Sequence, residues 1–132
     1  MAKQLSVFLE NRKGRMRQVA SLLKSAGINI LSFNLAETTD YGMLRLMVDD
    51  PEEGAAALAA GGFSAHLTDV MVVYLPARMG SLSELLDLLG DTININYMYP
   101  YQTQEPNAGM VMKVSDMDWA EQRIKEAGYK VD

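Results

Sequence analysis

Apolar and polar residues alternate along residues 4–10, and one parity is apolar throughout, at Leu5, Val7 and Leu9. A period of two predicts a β-strand with one buried face. After a short turn that contains Gly14, apolar residues recur at helical intervals, at Met16, Val19, Ala20 and Leu23. The pattern therefore predicts a strand that leads through a glycine turn into a helix, and Gly27 is placed to end that helix.

The rest of the first half reads as two strands, a helix and a closing strand. We predict strands over residues 28–38, 43–48 and 63–68, with a hairpin turn at residues 39–42. The helix begins with Asp50 as its N-cap and Pro51 at its first position. The apolar parity of the second strand changes after Ile30, which indicates a β-bulge or apolar cover on both faces.

The same order of elements then returns about 66 residues later. Gly14 and Gly80 are 66 residues apart, and so are Val48 and Val114. The second half predicts a strand over 70–76, a helix that ends at Gly90, strands over 93–101 and 109–114 joined by a loop over 102–107, a helix capped by Asp116, and a short strand over 129–131. This internal repeat is the strongest organisational signal in the chain.

A βαββαβ order is that of the ferredoxin-like fold. We expect an α+β protein made of two ferredoxin-like βαββαβ repeats, each an antiparallel sheet in the order 4-1-3-2 with both helices on one face. The predicted domains are residues 1–69 and 70–132, with no linker between them.

Composition narrows the function classes. The net charge of −5 and the pI of about 4.8 disfavour nucleic acid as a partner. The absence of cysteine excludes disulfides and thiol chemistry, and a single histidine excludes a histidine cluster for metal. No apolar run reaches the length of a membrane span, and the N-terminus lacks the apolar core of a signal peptide. We therefore expect a cytoplasmic protein without a metal or cofactor.

The two glycine turns are the candidate binding elements. A glycine at a helix N-terminus leaves backbone N–H groups and the positive end of the helix dipole free for an anionic group. The simpler explanation of Gly14 and Gly80 is a tight turn that needs a positive φ. Arg15 and Arg78 can pair with a carboxylate or lie on the surface, and Asn11 can contact a ligand or cap the turn.

The sheet face opposite the helices is apolar in sequence, and we expect it to be exposed. Its predicted members are Phe8, Leu31, Phe33, Met43, Met47, Val70, Val72 and Tyr74. An apolar patch of that size predicts a partner, most simply a second copy of the chain in a homodimer.

Two stretches in register resemble the amino-acid-binding ACT domain family. They are residues 5–16 followed by Ser25-Ala-Gly-Ile-Asn-Ile30, and residues 74–82 followed by Asp91-Thr-Ile-Asn-Ile95. The whole chain resembles a stand-alone tandem ACT protein, and residues 11–30 resemble the regulatory small subunit of acetolactate synthase most. The resemblance implies a regulatory protein that binds an amino acid between paired domains, against the first strand–helix loop of one and the second strand of the other.

Carried onto this chain, the resemblance implies two sets of ligand-binding residues. The first set is Asn11, Lys13, Gly14, Arg15, Met16, Asn29 and Ile30. The second set is Arg78, Met79, Gly80, Ser81, Leu82, Asn94, Ile95 and Asn96. The family commonly has a proline before the glycine, where this chain has Lys13 and Met79, so the two loops either both bind or differ in role.

The leading hypothesis is a non-catalytic regulatory protein with an amino acid as its ligand and a biosynthetic enzyme as a possible target. One alternative is a small enzyme of the acylphosphatase type, with Arg12 holding phosphate and Asn34 positioning water. Another is a purely protein-binding subunit. RNA binding through Phe8 and Phe33 is a further alternative, which the net negative charge of the chain disfavours.

Overall fold

The computed structural model describes residues 1–37, 40–102 and 107–132. The elements are β1 (Ala2–Glu10), α1 (Arg15–Ser25), β2 (Ile30–Glu37), β3 (Tyr41–Val48), α2 (Pro51–Ala60), β4 (Ser64–Leu75), α3 (Ser81–Leu89), β5 (Ile95–Tyr101), β6 (Ala108–Val114) and α4 (Met117–Glu126). The predicted hairpin loops lie partly outside the described residues, at 38–39 and 103–106. Tyr41 and Gly42, predicted as turn, belong to β3.

The chain divides into two compact units. The N-terminal unit is Lys3–Thr68, and the C-terminal unit is Asp69–Asp132 together with Met1–Ala2. Both have the predicted βαββαβ order, so the expectation of two ferredoxin-like repeats is confirmed. That residues 1–69 and 70–132 are separate domains stays a prediction.

In the N-terminal unit the strand order is β2-β3-β1-β4, which is the predicted 4-1-3-2 arrangement. The β1–β3 and β2–β3 pairs are antiparallel, and Leu5 pairs with Leu46 across the first. One sheet face packs on both helices, through Val19 and Leu23 of α1 and Leu58 of α2. All five of these side chains are fully buried.

The C-terminal unit repeats this plan with the order β4-β6-β5. Met71 pairs with Met112 at the position that Leu5 and Leu46 hold in the other unit. Its core joins these strands to Leu85 of α3 and Ile124 of α4. The predicted closing strand at 129–131 is reduced to a single bridge between Val73 and Val131.

The sequence analysis predicts two strands, 63–68 and 70–76, where the structure has the single strand β4 of 12 residues. The boundary between the two predicted strands falls at Thr68 and Asp69. They continue the strand instead, and β4 contributes residues to the sheets of both units.

The predicted bulge is present, because the β2–β3 register shifts between Ile30 and Ser32. Beyond the bulge Phe33 pairs with Leu46, whereas Phe8 pairs with Met43. Paired residues of an antiparallel sheet share a face. Phe33 therefore lies on the helix side, and its predicted place on the opposite face with Phe8 is wrong.

The opposite sheet face is less exposed than the sequence suggested. The buried members of the predicted set are Met47, Val70, Val72 and Tyr74, and the polar Gln4 and Ser6 of β1 are buried as well. Ser6 bridges Gln4 and Thr68 through hydrogen bonds of 3.0 and 2.8 Å, which satisfies polar groups that would otherwise be buried without partners. Four of the eight residues of the expected apolar patch are thus buried, whereas Phe8 and Phe33 are exposed. Among the described residues, no helix is long and apolar enough to cross a membrane.

Candidate functional site: the strand–helix loops

Each repeat has a loop between its first strand and first helix, and the two loops have the same backbone conformation. We call residues 11–14 the Gly14 loop and residues 76–80 the Gly80 loop. Gly14 has φ 84° and ψ −5°, and Gly80 has φ 85° and ψ 0°. Only glycine adopts this left-handed region readily, so the turn alone explains both glycines. A side chain at either position would meet nothing within 4 Å, which leaves the space beside each glycine open.

Helices α1–α4 divide into two kinds by the way they begin. Asp50 accepts a hydrogen bond from the Glu53 N–H at 3.3 Å, and Asp116 accepts one from the Trp119 N–H at 3.1 Å. Helices α1 and α3 begin at glycine and have no side-chain cap. The N–H groups of Arg15 and Ser81 donate to the carbonyls of Arg12 and Arg78 at 3.4 Å, whereas the N–H of Met16 bonds to none of the residues that the structure describes. In α2 and α4 an aspartate side chain already accepts a hydrogen bond from the helix start. The starts of α1 and α3 have no such side chain and can therefore still bind an anion.

The side chains around Gly14 are mostly basic. Lys13 and Arg17 are exposed and make no ion pair with any described residue. Arg15 is largely buried: its guanidinium lies 4.3 Å from the centre of the Phe63 ring and donates a 2.8 Å hydrogen bond to Gln18. Its Nε is buried without a hydrogen-bond partner. Helix α1 also has no acidic residue in its first turn, so the loop is locally positive.

A groove of about 560 Å³ runs beside Gly14. It is lined by Gly14, Arg17, Gln18, Ser21, Leu22, Gly61 and Phe63. This volume is within the range of small-molecule sites, and the lining combines a cation, amide and hydroxyl groups with apolar surface. Sequence reasoning missed Arg17, Gln18 and Ser21, because their spacing of three and four residues marks them only as the polar side of α1.

A second, smaller cavity of about 90 Å³ lies on the other side of the Gly14 loop. Predicted residues that line it are Asn11, Arg15 and Met16. Its further lining residues are Leu9, Glu10, Arg12, Leu35, Glu37 and Gly42. The structure thus brings most of the predicted loop residues to the surroundings of α1's N-terminus.

Asn29 and Ile30 lie at the other end of α1, where they line a separate groove with Lys24 and Gly27. An 11-residue helix separates them from the Gly14 loop by roughly 16 Å. Asn29 is held by reciprocal bonds, since its N–H donates to the Asp49 carboxylate at 3.0 Å and its carbonyl accepts from the Asp49 N–H at 3.2 Å. Within one repeat, the ligand-binding residues predicted in the loop and those predicted in the second strand therefore do not lie in one site.

The second repeat repeats this geometry. The Asn94 N–H donates to the Ser115 hydroxyl at 3.0 Å, and the Asn94 carbonyl accepts from the Ser115 N–H at 2.9 Å. Ile95 and Asn96 follow in β5, and the side chain of Asn96 is exposed. The sequence analysis did not identify Asp49 or Ser115, although each follows the strand that pairs with its asparagine's strand.

The Gly80 loop has different side-chain chemistry. Arg78 donates two hydrogen bonds of 2.7 Å to the two carboxylate oxygens of Glu84. This pairing lowers the pKa of Glu84 and raises that of Arg78. Ser81 is buried and its hydroxyl donates to the Pro76 carbonyl at 2.6 Å. Met79 is 98% exposed and Leu82 is 43% exposed, so the loop offers apolar rather than basic surface.

The residues proposed for an acylphosphatase do not meet in one cavity. Arg12 lines the smaller cavity and pairs with Glu10 at 3.0 Å, which offsets the charge that phosphate binding would need. Asn34 does not line that cavity and pairs with Arg45 inside the sheet. Within residues 1–37, 40–102 and 107–132, no group of three or more acidic, histidine or cysteine side chains could hold a metal ion.

Comparison with solved structures shows the fold across the whole chain. Protein BT0572 from Bacteroides thetaiotaomicron is 35% identical, with a TM-score of 0.91 over 99% of this chain and 91% of that one. The ligand-free regulatory subunit of aspartate kinase from Thermus thermophilus is 16% identical, with a TM-score of 0.63 over 96% of this chain and 91% of that one. The second likeness concerns the fold alone.

No protein of curated function matches the chain significantly. The sequence does match a family that is described as the ACT domain pair, and the match covers residues 1–128. The match includes both loop motifs and all of the second repeat except its closing residues 129–132, as the resemblance of the two motifs predicted. The chain therefore belongs to the ACT domain pair family.

Proposed function

We propose that this protein is a non-catalytic regulatory ACT protein that senses a small amino acid at a strand–helix loop. The observation that carries the proposal is the contrast between helix starts, because α1 and α3 begin without a side-chain cap whereas α2 and α4 are capped by aspartate. Free N–H groups and the helix dipole favour a ligand carboxylate at the uncapped ends.

The Gly14 loop supplies the remaining groups that an amino acid needs. The side-chain oxygen of Asn11, which bonds to no described residue, can accept from an ammonium group. Lys13 and Arg17 attract the carboxylate, and the apolar walls at Leu22 and Phe63 suit an aliphatic side chain. These are the groups we expect to recognise the ligand.

The regulatory part of the proposal is supported by the family and by the fold of the aspartate kinase regulatory subunit. Helix α1 packs directly on the core strands through Val19 and Leu23. A ligand that prefers one placement of α1 would shift the population of conformations of the unit. We propose an enzyme of amino-acid metabolism as the target that reads this shift.

Thermal unfolding in the presence of each of the twenty amino acids tests the proposal. A ligand at 100 times its Kd stabilises the native state by about 2.7 kcal/mol, which raises Tm by several degrees. Gly14→Ala should abolish the shift, because its methyl group enters the open space beside the loop. Gly128→Ala is the matched control, since Gly128 has φ 95° and open surroundings but belongs to the other unit than Gly14. No shift with any amino acid would contradict amino-acid sensing.

A purely protein-binding subunit is the second candidate, and the Gly80 loop favours it. Met79 and Leu82 are exposed apolar side chains on one loop and the helix it opens. Under this alternative no amino acid changes Tm, and Met79→Ser weakens co-purification with an enzyme target.

We also propose a homodimer. Its support is the edge strand β2, on which Phe33 is 59% and Leu35 48% exposed. Sedimentation equilibrium should show a dimer that Phe33→Ser weakens, and a monomer at high protein concentration would refute the dimer without touching the binding proposal.

A further inference from the structure

Each unit exposes an apolar patch beside its first helix. In the N-terminal unit the patch is Phe33 and Leu35 of β2, which we call the Phe33 patch. Leu35 lines the cavity of about 90 Å³ together with Met16 of α1, so this patch lies next to that helix. In the C-terminal unit the patch is Met79 and Leu82 at the start of α3, which we call the Met79 patch.

The charges beside the Phe33 patch are positive. Lys13, Arg17 and Lys24 belong to α1 or to the loop before it, and all three are exposed without an ion pair to any described residue. Helix α1 contains no acidic residue. Lys24 lines the groove at the start of β2, which places one of these cations directly beside the edge strand. The Phe33 patch therefore has a basic border.

The charges beside the Met79 patch are negative. Asp87 in α3 and Asp91 shortly after it are exposed, and neither makes an ion pair with a residue that the structure describes. The nearby cation Arg78 is already paired with Glu84 at 2.7 Å. Residues 3–68 contain seven basic and seven acidic residues, whereas residues 69–132 contain five basic and ten acidic residues. The surplus of negative charge thus belongs to the C-terminal unit, and the Met79 patch has an acidic border.

We infer that, in the proposed homodimer, the Phe33 patch of one copy is covered by the Met79 patch of the second copy. The N-terminal unit of one chain then meets the C-terminal unit of the other. This inference rests on the proposed homodimer and names the two surfaces that meet. Apolar side chains at the centre and charged groups at the rim are the usual anatomy of a protein interface.

The signs of the two borders select this crosswise contact over a contact between like units. Two N-terminal units would bring the basic borders together, and two C-terminal units would bring the acidic borders together. Like charges across an interface cost free energy and suppress the wrong pairing, whereas opposite charges attract and fix the partner. A symmetric dimer makes the crosswise contact twice, since each copy carries one patch of each kind.

The spacing of the charges fits an antiparallel contact of α1 with α3 of the second copy. The two helices are equivalent in the repeat, and equivalent helices that are related by a local two-fold axis run antiparallel. With the midpoints of the helices opposed, Arg17 lies opposite Asp87 of the second copy, and Lys13 lies opposite its Asp91. Both cations therefore meet an anion that has no ion pair within the described part of its own chain.

Reversal of single charges in the whole chain tests the inference, with the Kd of the dimer measured by sedimentation equilibrium without ligand. Arg17→Glu and Asp87→Lys should each weaken the dimer about tenfold or more, because each replaces an attraction with a repulsion at both contacts. The double variant should regain the wild-type Kd, since the attraction returns with its signs exchanged. Glu126→Lys is the matched control, because it changes the charge of the exposed face of α4 by the same amount as Asp87→Lys.

The variants are suited to the test because neither reversal threatens the fold. An acidic residue in the first turn of a helix and a basic residue in its last turn both favour the helix. Ionic strength provides a second measurement that needs no variant. Salt should weaken the wild-type dimer, because screening reduces the attraction between opposite charges. A contact between like units would instead be strengthened by salt.

Several results would overturn the crosswise contact while the homodimer stood. They are single variants that dimerise normally, a double variant that stays weak, or a wild-type dimer that salt strengthens. An equal loss in Glu126→Lys and Asp87→Lys would also overturn it, because net charge alone would then explain the effect. A wild-type chain that stays monomeric at high protein concentration would refute the homodimer itself, and this inference with it.

Discussion

The two repeats have the same backbone at their first loops and opposite side-chain chemistry. Gly14 and Gly80 differ by 1° in φ and 5° in ψ. Each loop has an ion-paired arginine, Arg12 with Glu10 and Arg78 with Glu84, but the residue before the glycine is the unpaired Lys13 in the first loop and the exposed Met79 in the second. Backbone geometry is fixed by the glycine turn and by helix packing, which tolerate many side chains on the exposed side. The repeat therefore preserves the loop backbone, whereas the charge beside that backbone depends on exposed side chains such as Lys13 and Met79.

The largest expected loss of stability comes from substitutions in the two cores, and these substitutions test whether the cores are equivalent. Leu46→Ala and Met112→Ala remove fully buried side chains at the same repeat position. Each should lower the free energy of unfolding by about 2–5 kcal/mol in urea titrations, because a cavity replaces packed atoms. The exposed Leu82→Ala serves as control. A cost well below 1 kcal/mol for one of the two would show that the cores are not equivalent.

Intermediate effects are expected at the aspartate-capped helices. Asp50→Ala and Asp116→Ala should each destabilise the fold by about 0.5–2 kcal/mol, since an N–H group at the helix start loses its acceptor. Asp→Asn at either position retains the cap and should cost much less. Equal losses for the alanine and asparagine variants would argue that these caps contribute only through charge.

The smallest effect concerns the pair in the Gly80 loop. Hydrogen bonding to Arg78 lowers the pKa of Glu84, so the pair favours the folded state above the unfolded pKa of glutamate and ceases to do so as pH falls through the lowered folded pKa. Carbon NMR of the side-chain carboxyl should show a titration midpoint below the ordinary glutamate range. Arg78→Gln should return it to that range, and an unchanged midpoint would contradict the pairing.

The order of the helices and strands could be predicted from the periodicity of the sequence. The helix caps at Asp50 and Asp116, the glycine turns and the bulge after Ile30 were all predictable, because each depends on local chemistry. The face of Phe33 was not predictable, since the bulge resets the parity of every residue after it. The polar pair Thr68-Asp69 likewise gave no sign that β4 is continuous.

The candidate site was predictable only in part. The glycines and the basic loop were visible as a motif, but the groove depends on α1 lying beside Gly61 and Phe63, which follow Gly14 by 47 and 49 residues in sequence. The Arg78–Glu84 pair joins a loop residue to a helix residue six positions later, a spacing that no helical or strand period predicts. Contacts of this kind can be identified only when the three-dimensional path of the backbone through the turn is known.

The central claim is that the groove beside Gly14 binds a free amino acid. Saturation-transfer difference NMR on wild-type protein with an equimolar mixture of the twenty amino acids tests it most directly, because it detects contact with the ligand itself. We expect saturation transfer to one or a few amino acids, lost in Gly14→Ala and retained in Gly128→Ala. Absence of transfer to every amino acid, or transfer that Gly14→Ala leaves unchanged, would contradict the claim.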